Sequence, residues 1–119
     1  MTAYTVINGS RSAGADMSTG LVAVANNDTF APGSDVWLRV KNASGSAVTV
    51  TVMNAAANAG PGGTFLAPLA LAPAVPATTG DRLYGPFPAY IFADPSDGQV
   101  HLSFSATASV TAAVYNLPD

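Results

Sequence analysis

The chain of 119 residues contains no cysteine, no glutamate, a single lysine and a single histidine. Without cysteine the protein has no disulfide, no thiolate metal site and no cysteine nucleophile. One histidine excludes a multi-histidine metal site. Charged residues make up 9% of the chain, far below the usual ~25%, and the net charge of −3 disfavours a nucleic-acid-binding surface. These shortages argue against most classes of enzyme.

Residues that favour long helices are equally scarce, because glutamate, lysine, glutamine and arginine are nearly absent. A helical bundle is therefore not expected. Although 49% of the chain is hydrophobic, no window reaches 18 continuous apolar residues, so we expect no transmembrane helix. The first four residues lack a basic stretch followed by an apolar one, and we expect no secretory signal in this chain.

Alternating apolar and polar residues are the clearest pattern present. They occur over 36–41 and 48–52, separated by a short loop with a glycine, and again over 100–105 and 110–115. Period-2 alternation on both sides of a short loop is typical of a β-hairpin with one buried face. The sequence therefore predicts two hairpins.

The fold class that follows is all-β, with one domain spanning 1–119. We predict a single antiparallel β-sandwich or small barrel of about six to eight short strands, with long loops rich in glycine, alanine and proline. Residues 1–19 are expected to form an N-terminal arm and 54–80 a long loop. Because the 54–80 segment is apolar and poor in charge, we expect part of it to lie against another chain.

Few residues offer chemistry. His101 lies on the polar register of a predicted strand, and no serine-nucleophile motif accompanies it, so a solvent-facing or interface histidine is favoured over a catalytic one. Asp94, Asp97 and Gly98 resemble a calcium loop only superficially, because Pro95 and the lack of glutamate break the pattern. A turn with side-chain hydrogen bonds is favoured there. We predict no catalytic residue, no metal and no cofactor.

The most distinctive segment is 82–92, which holds four aromatic residues and two prolines within nine positions. One interpretation is that its aromatics cap one end of the core. The other is a partner surface, since aromatic residues are enriched in interface cores. Trp37 lies on the register opposite the apolar residues of its strand and is expected to face outward. The candidate interface residues are Trp37, Tyr84, Pro86, Phe87, Pro88, Tyr90 and Phe92.

Three stretches of the C-terminal half also carry a resemblance. They are 83–88 (LYGPFP) with Tyr90, 97–105 (DGQVHLSFS) and 109–114 (SVTAAV). Together with 27–30, 36–42 and 48–52, they resemble small β-sandwich structural proteins encoded in the head-gene regions of tailed bacteriophages. The resemblance spans about residues 20 to 117. It implies a capsid decoration or minor capsid protein, often trimeric, that binds the major capsid protein on the outer surface of an icosahedral shell.

Low charge and many small apolar residues suit close, dry contacts repeated over a lattice. An acidic protein also fits the outside of a DNA-filled shell better than its inside. We therefore expect a structural virion protein that stabilises the head and binds neither nucleic acid nor membrane. Two alternatives stay open. One is a head–tail connector or tail component, and the other is a cell-surface or carbohydrate-binding module that stacks sugars on Trp37 and Tyr84. An enzyme ranks below these.

Overall fold

A computed structural model describes residues 3–9, 20–55, 67–94 and 97–117. Within these residues the chain forms nine strands and one helical turn. In chain order they are β1 (Val6–Asn8), β2 (Val22–Ala23), β3 (Asp28–Phe30), β4 (Val36–Asn42), β5 (Val50–Ala55), β6 (Ala67–Ala70), β7 (Gly80–Tyr84), α1 (Ala89–Phe92), β8 (Val100–Phe104) and β9 (Val110–Asn116).

The strands form two sheets. One is five-stranded, with the order β1-β9-β4-β7 and β2 also paired to β9, and the other is four-stranded, with the order β3-β8-β5-β6. From β2 to β9 the chain crosses to the other sheet at every connection except the one between β5 and β6. Pairing among these eight strands is antiparallel. This order is that of a jelly roll, so the protein is an all-β sandwich.

The core lies between the two sheets, and alternate residues of strands such as β4 and β8 build much of it. In β4 the burial alternates strictly, because Val36, Leu38, Val40 and Asn42 face inward. Burying one such aliphatic side chain contributes about 1.5–3 kcal/mol relative to leaving it exposed. The fully buried aliphatic residues that share this role are Leu38, Val40, Val48, Val50, Val52, Val75, Val100, Leu102, Val110 and Val114.

The two predicted hairpins are wrong as pairings, although their strands are confirmed, as are the buried faces of the first three. In β9 the prediction of one buried face is wrong, because Tyr115, on the register expected to face outward, is fully buried. β4 and β5 belong to different sheets, and so do β8 and β9. The physical reason is that alternation specifies which face of a strand is buried but not which strand lies beside it. The connections 43–49 and 105–109 instead carry the chain across the roughly 10 Å between packed sheets.

The predicted long loop over 54–80 is also wrong for its second half. β6 pairs with β5, and Val75 is fully buried and forms an isolated bridge with Val48. The two backbone hydrogen bonds of that bridge measure 2.9 and 2.8 Å. The expectation that this stretch lies against another chain fails for Val75, which packs in the chain's own core. Residues 56–66 lie outside the described part.

The predicted N-terminal arm is part of the sandwich where it is described. Ala3 pairs with Thr29 at the four-stranded sheet, and β1 then pairs in parallel with β9 of the five-stranded sheet. The Tyr4 hydroxyl donates to the buried Asp28 carboxylate at 2.6 Å, and burial, together with this bond, raises the pKa of Tyr4. The segment therefore ties the two sheets together. Residues 10–19 lie outside the described part.

Candidate functional site

The aromatic segment caps one end of the core. Tyr84 and Phe87 are buried, at 7% and 1% exposure. Phe87 makes edge-to-face contacts with Phe30, at a centroid distance of 5.3 Å, and with Phe92, at 4.9 Å. The Tyr84 hydroxyl donates to the Pro73 carbonyl at 2.6 Å. The interface prediction is therefore wrong for Tyr84 and Phe87, whose side chains are unavailable to a partner.

The other residues of that segment divide by exposure. Pro86 is exposed, Pro88 is half-buried, and Phe92 is half-buried against the core. Tyr90 belongs to α1, but its side chain lies outside the described part of the structure. Backbone bonds hold the segment in place, since Gly33 N donates to the Phe87 carbonyl at 2.8 Å and Phe87 N donates to the Val36 carbonyl at 3.0 Å. These bonds fix the position of the segment, and Pro86 is exposed to solvent.

Trp37 faces outward, as predicted, on the outer face of the five-stranded sheet. Its cross-strand neighbour on that face is Tyr115, which is itself beside Ile7 of β1. On its other side lies Gly85, where a Cβ would come within 3.0 Å of the Trp37 ring. Gly85 has a φ of +145°, which favours glycine, so this position meets both a conformational and a packing need. The indole is consequently half-buried and held by its neighbours.

Leu83 lies on the same face and is 45% exposed, the largest exposure among the exposed large hydrophobic residues of the described chain. It is the cross-strand neighbour of Arg39. We name Trp37, Leu83 and Pro86 the Trp37 patch. The sequence prediction included Trp37 and Pro86 but missed Leu83. Leu83 could have been found from its place in the strand, because it alternates with Arg82 and Tyr84 and therefore lies on the opposite, outward face.

A charged pair borders the Trp37 patch. Arg39 Nε donates to Asp81 Oδ1 at 2.9 Å and Arg39 Nη2 donates to Asp81 Oδ2 at 2.8 Å, a two-bond contact between β4 and β7. These hydrogen bonds lower the pKa of Asp81 and raise that of Arg39. An apolar centre flanked by polar and charged groups is the arrangement found in protein interfaces.

His101 lies in a polar cluster on the opposite sheet. Its Nε2 is 2.6 Å from Asp97 Oδ2 and 3.9 Å from Asp94 Oδ2, and its Nδ1 is 3.1 Å from Asn27 Oδ1. Gln99 N donates to Asp97 Oδ1 at 2.9 Å, the side-chain hydrogen bond expected of a turn at 94–98. Both ring nitrogens are therefore engaged in joining two loops, and among the described residues neither is directed at a nucleophile. The cluster fits a structural role.

Over 3–9, 20–55, 67–94 and 97–117, no three histidine, aspartate or glutamate side chains come together in a way that could hold a metal ion. In the same ranges no helix is long and apolar enough to cross a membrane.

The fold and this surface together define a jelly-roll sandwich that presents an apolar patch with a charged border on one sheet. Neither a family model, nor a curated protein, nor a solved structure matches the chain.

Proposed function

We propose that this protein is a structural component of a tailed-phage head, which binds the major capsid protein on the outer surface of the shell and stabilises it. The observation that carries the proposal is the Trp37 patch, where Leu83 is 45% exposed beside a half-buried tryptophan. Apolar surface of this kind, bordered by charge, suits a protein partner. The resemblance of 83–88, 97–105 and 109–114 to phage head proteins supports the choice of partner.

The geometry of the patch adds a second support. Within the described chain, β7 is the end strand of its sheet, pairing with β4 alone. A partner that covers Leu83 can therefore also approach the open edge of β7. Arg82 of this strand, half-buried on the face opposite Leu83, is the kind of charge that discourages uncontrolled edge-to-edge pairing.

Many copies of such a contact, each weak, suffice on a repeating lattice. A self-association into trimers, which the resemblance implies, is part of the proposal. A connector or tail component is the second candidate within a virion. The two differ in copy number, because a decoration protein follows the shell lattice with on the order of hundreds of copies, whereas a connector is present in about a dozen or fewer.

The test is cryo-electron microscopy of purified particles together with binding of the full-length protein to heads that lack it. We expect density on the outer shell and a weaker affinity, by tenfold or more, for Leu83→Gln. Met53→Gln is the matched control, since Met53 is an exposed apolar residue (37%) of the other sheet, and it should bind as the wild type does. Heads without this density, or equal binding by both variants, would refute the proposal.

A further inference from the structure

A groove lies at the other end of the same outer face, away from the Trp37 patch. Its volume is about 600 Å³, within the range of small-molecule pockets. The residues that line it are Lys41, Asn42, Ala43, Thr78, Thr79, Gly80, Asp81, Ser109 and Thr111. Six of these nine are exposed, so the groove is open and admits part of a longer chain.

Three neighbouring strands form its floor. Lys41 of β4 is flanked in register by Thr111 of β9 and by Asp81 of β7, and all three side chains share the outer face. The walls come from two turns, one with Thr78 and one with Ser109. Both wall residues have a left-handed backbone, with φ of 69° and 59°. Such conformations are uncommon for residues other than glycine and cluster at binding sites.

Asn42 holds the Thr78 turn rigidly beneath the groove. Its side chain is buried, and its amide nitrogen lies 2.8 Å from the Ser46 carbonyl oxygen and 3.1 Å from that of Pro76. Its amide oxygen accepts from Ser44 N at 2.9 Å, and Thr78 N donates to the Ser44 carbonyl at 2.8 Å. The groove is therefore formed before any ligand arrives, which lowers the entropic cost of binding.

The chemistry of the lining is that of hydroxyl groups and one cation. In the described residues, no side-chain hydrogen bond engages the hydroxyls of Thr78, Thr79, Ser109 or Thr111, so all four are available to a ligand. Asp81 is held by Arg39, and its charge is thereby matched. Lys41 makes no ion pair within the described chain. Its ammonium therefore supplies one positive charge in addition to the Arg39–Asp81 pair.

We propose that this groove binds a saccharide that carries a carboxylate, with Lys41 at the carboxylate and the threonine and serine hydroxyls at the sugar hydroxyls. A compact phosphate dianion fits less well, because the described lining residues include no second cation and the Asp81 carboxylate lies beside Lys41. That carboxylate can instead accept hydrogen bonds from sugar hydroxyls, which donate as well as accept.

The site is distinct from the sugar-stacking surface considered from the sequence, since Tyr84 is buried and Trp37 is absent from the groove. Trp37 is four residues from Lys41 along β4, or about 13 Å at about 3.3 Å per residue. The inference goes beyond the proposed function and does not depend on it, because a partner on the Trp37 patch leaves this end of the sheet open.

The test is a titration of the full-length protein with trigalacturonate, in which binding is measured by backbone NMR chemical shifts and by calorimetry. Maltotriose serves as the neutral probe and inorganic phosphate as the compact anion. We expect saturable shifts at 41–43, 78–81 and 109–111 with trigalacturonate, and at least tenfold weaker binding of the other two probes. Equal binding of maltotriose, or a preference for phosphate, would overturn the proposal, as would a wild-type protein without saturable shifts.

Variants distinguish binding in the groove from a general effect of the protein's charge. Lys41→Gln should weaken trigalacturonate binding at least tenfold, whereas Arg82→Gln, which removes the same charge from the opposite face of β7, should change it less than twofold. Thr111→Val should weaken binding severalfold, and Thr51→Val on the other sheet should not. If Lys41→Gln binds as tightly as Arg82→Gln, the assignment of Lys41 is wrong.

Discussion

Replacement of Phe87 by alanine is the sharpest test of whether the aromatic segment belongs to the core. The side chain is 1% exposed and touches Phe30 and Phe92 edge to face. Truncating a buried phenylalanine typically lowers the free energy of unfolding by about 3–5 kcal/mol, from lost burial and the cavity left behind. A domain with a free energy of unfolding of about 5–15 kcal/mol would lose a large share of it.

The assay is urea unfolding followed by circular dichroism and tryptophan fluorescence. Leu83→Ala is the matched control, because Leu83 is an exposed apolar residue directly before the buried Tyr84. It should cost about 1 kcal/mol or less. A double-mutant cycle of Phe30→Leu and Phe87→Leu should give a coupling of about 0.5–1.5 kcal/mol, the usual value of an edge-to-face pair.

A loss below about 1 kcal/mol for Phe87→Ala would refute the reasoning. It would mean that the ring is exposed in solution, and the interface interpretation of this residue would return. If both Phe87→Ala and Leu83→Ala strongly lowered the free energy of unfolding, the division of the segment into buried and exposed residues would be contradicted.

Two further predictions concern β7. Gly80→Ala should destabilise the fold by several kcal/mol or prevent folding. The reason is that a Cβ at Gly80 would overlap the backbone carbonyl oxygen of Pro76, which cannot move aside. A melting temperature equal to that of the wild type would contradict this. Asp81→Asn should cost about 0.2–1 kcal/mol at neutral pH, since the pair with Arg39 is part-exposed and screened by solvent. Because Arg39 lowers the pKa of Asp81, this stabilisation is present above the ordinary aspartate pKa of about 4 and is lost as the pH falls through the lowered value. The two unfolding curves should therefore converge in acid, and a constant difference from pH 7 to pH 2 would show that the charge is not its source.

The class of fold was predictable because alternation is a local property. Val36, Leu38 and Val40 face the core as their spacing requires, and Trp37 faces outward for the same reason. The pairing of strands was not predictable in this way, because it depends on contacts between residues distant in the chain. β4 lies between β7 and β9, whose residues are about 40 and 75 positions further along.

The site was less accessible to sequence reasoning than the fold. The composition of the segment 82–92 is unusual, but it does not determine which of the aromatic residues point inward. Phe87 is buried by its packing against Phe30 and Phe92, whereas Leu83 is exposed because it lies on the outward register of β7. The groove has no local motif at all, because its lining comes from 41–43, 78–81 and 109–111. Only the strand order brings these residues together.

The outer face of β4 shows how one strand serves several purposes at once. Its inward residues hold the two sheets together, whereas Trp37, Arg39 and Lys41 belong in turn to the Trp37 patch, to the ion pair with Asp81 and to the groove. Because the outward side chains contribute little to the core, each can change without altering the fold. Substitutions along this face should therefore separate capsid binding from saccharide binding: Leu83→Gln should lose only the first, and Lys41→Gln only the second. If both variants lost both, the two sites would be one surface, and a single ligand-binding face would replace the two that we propose.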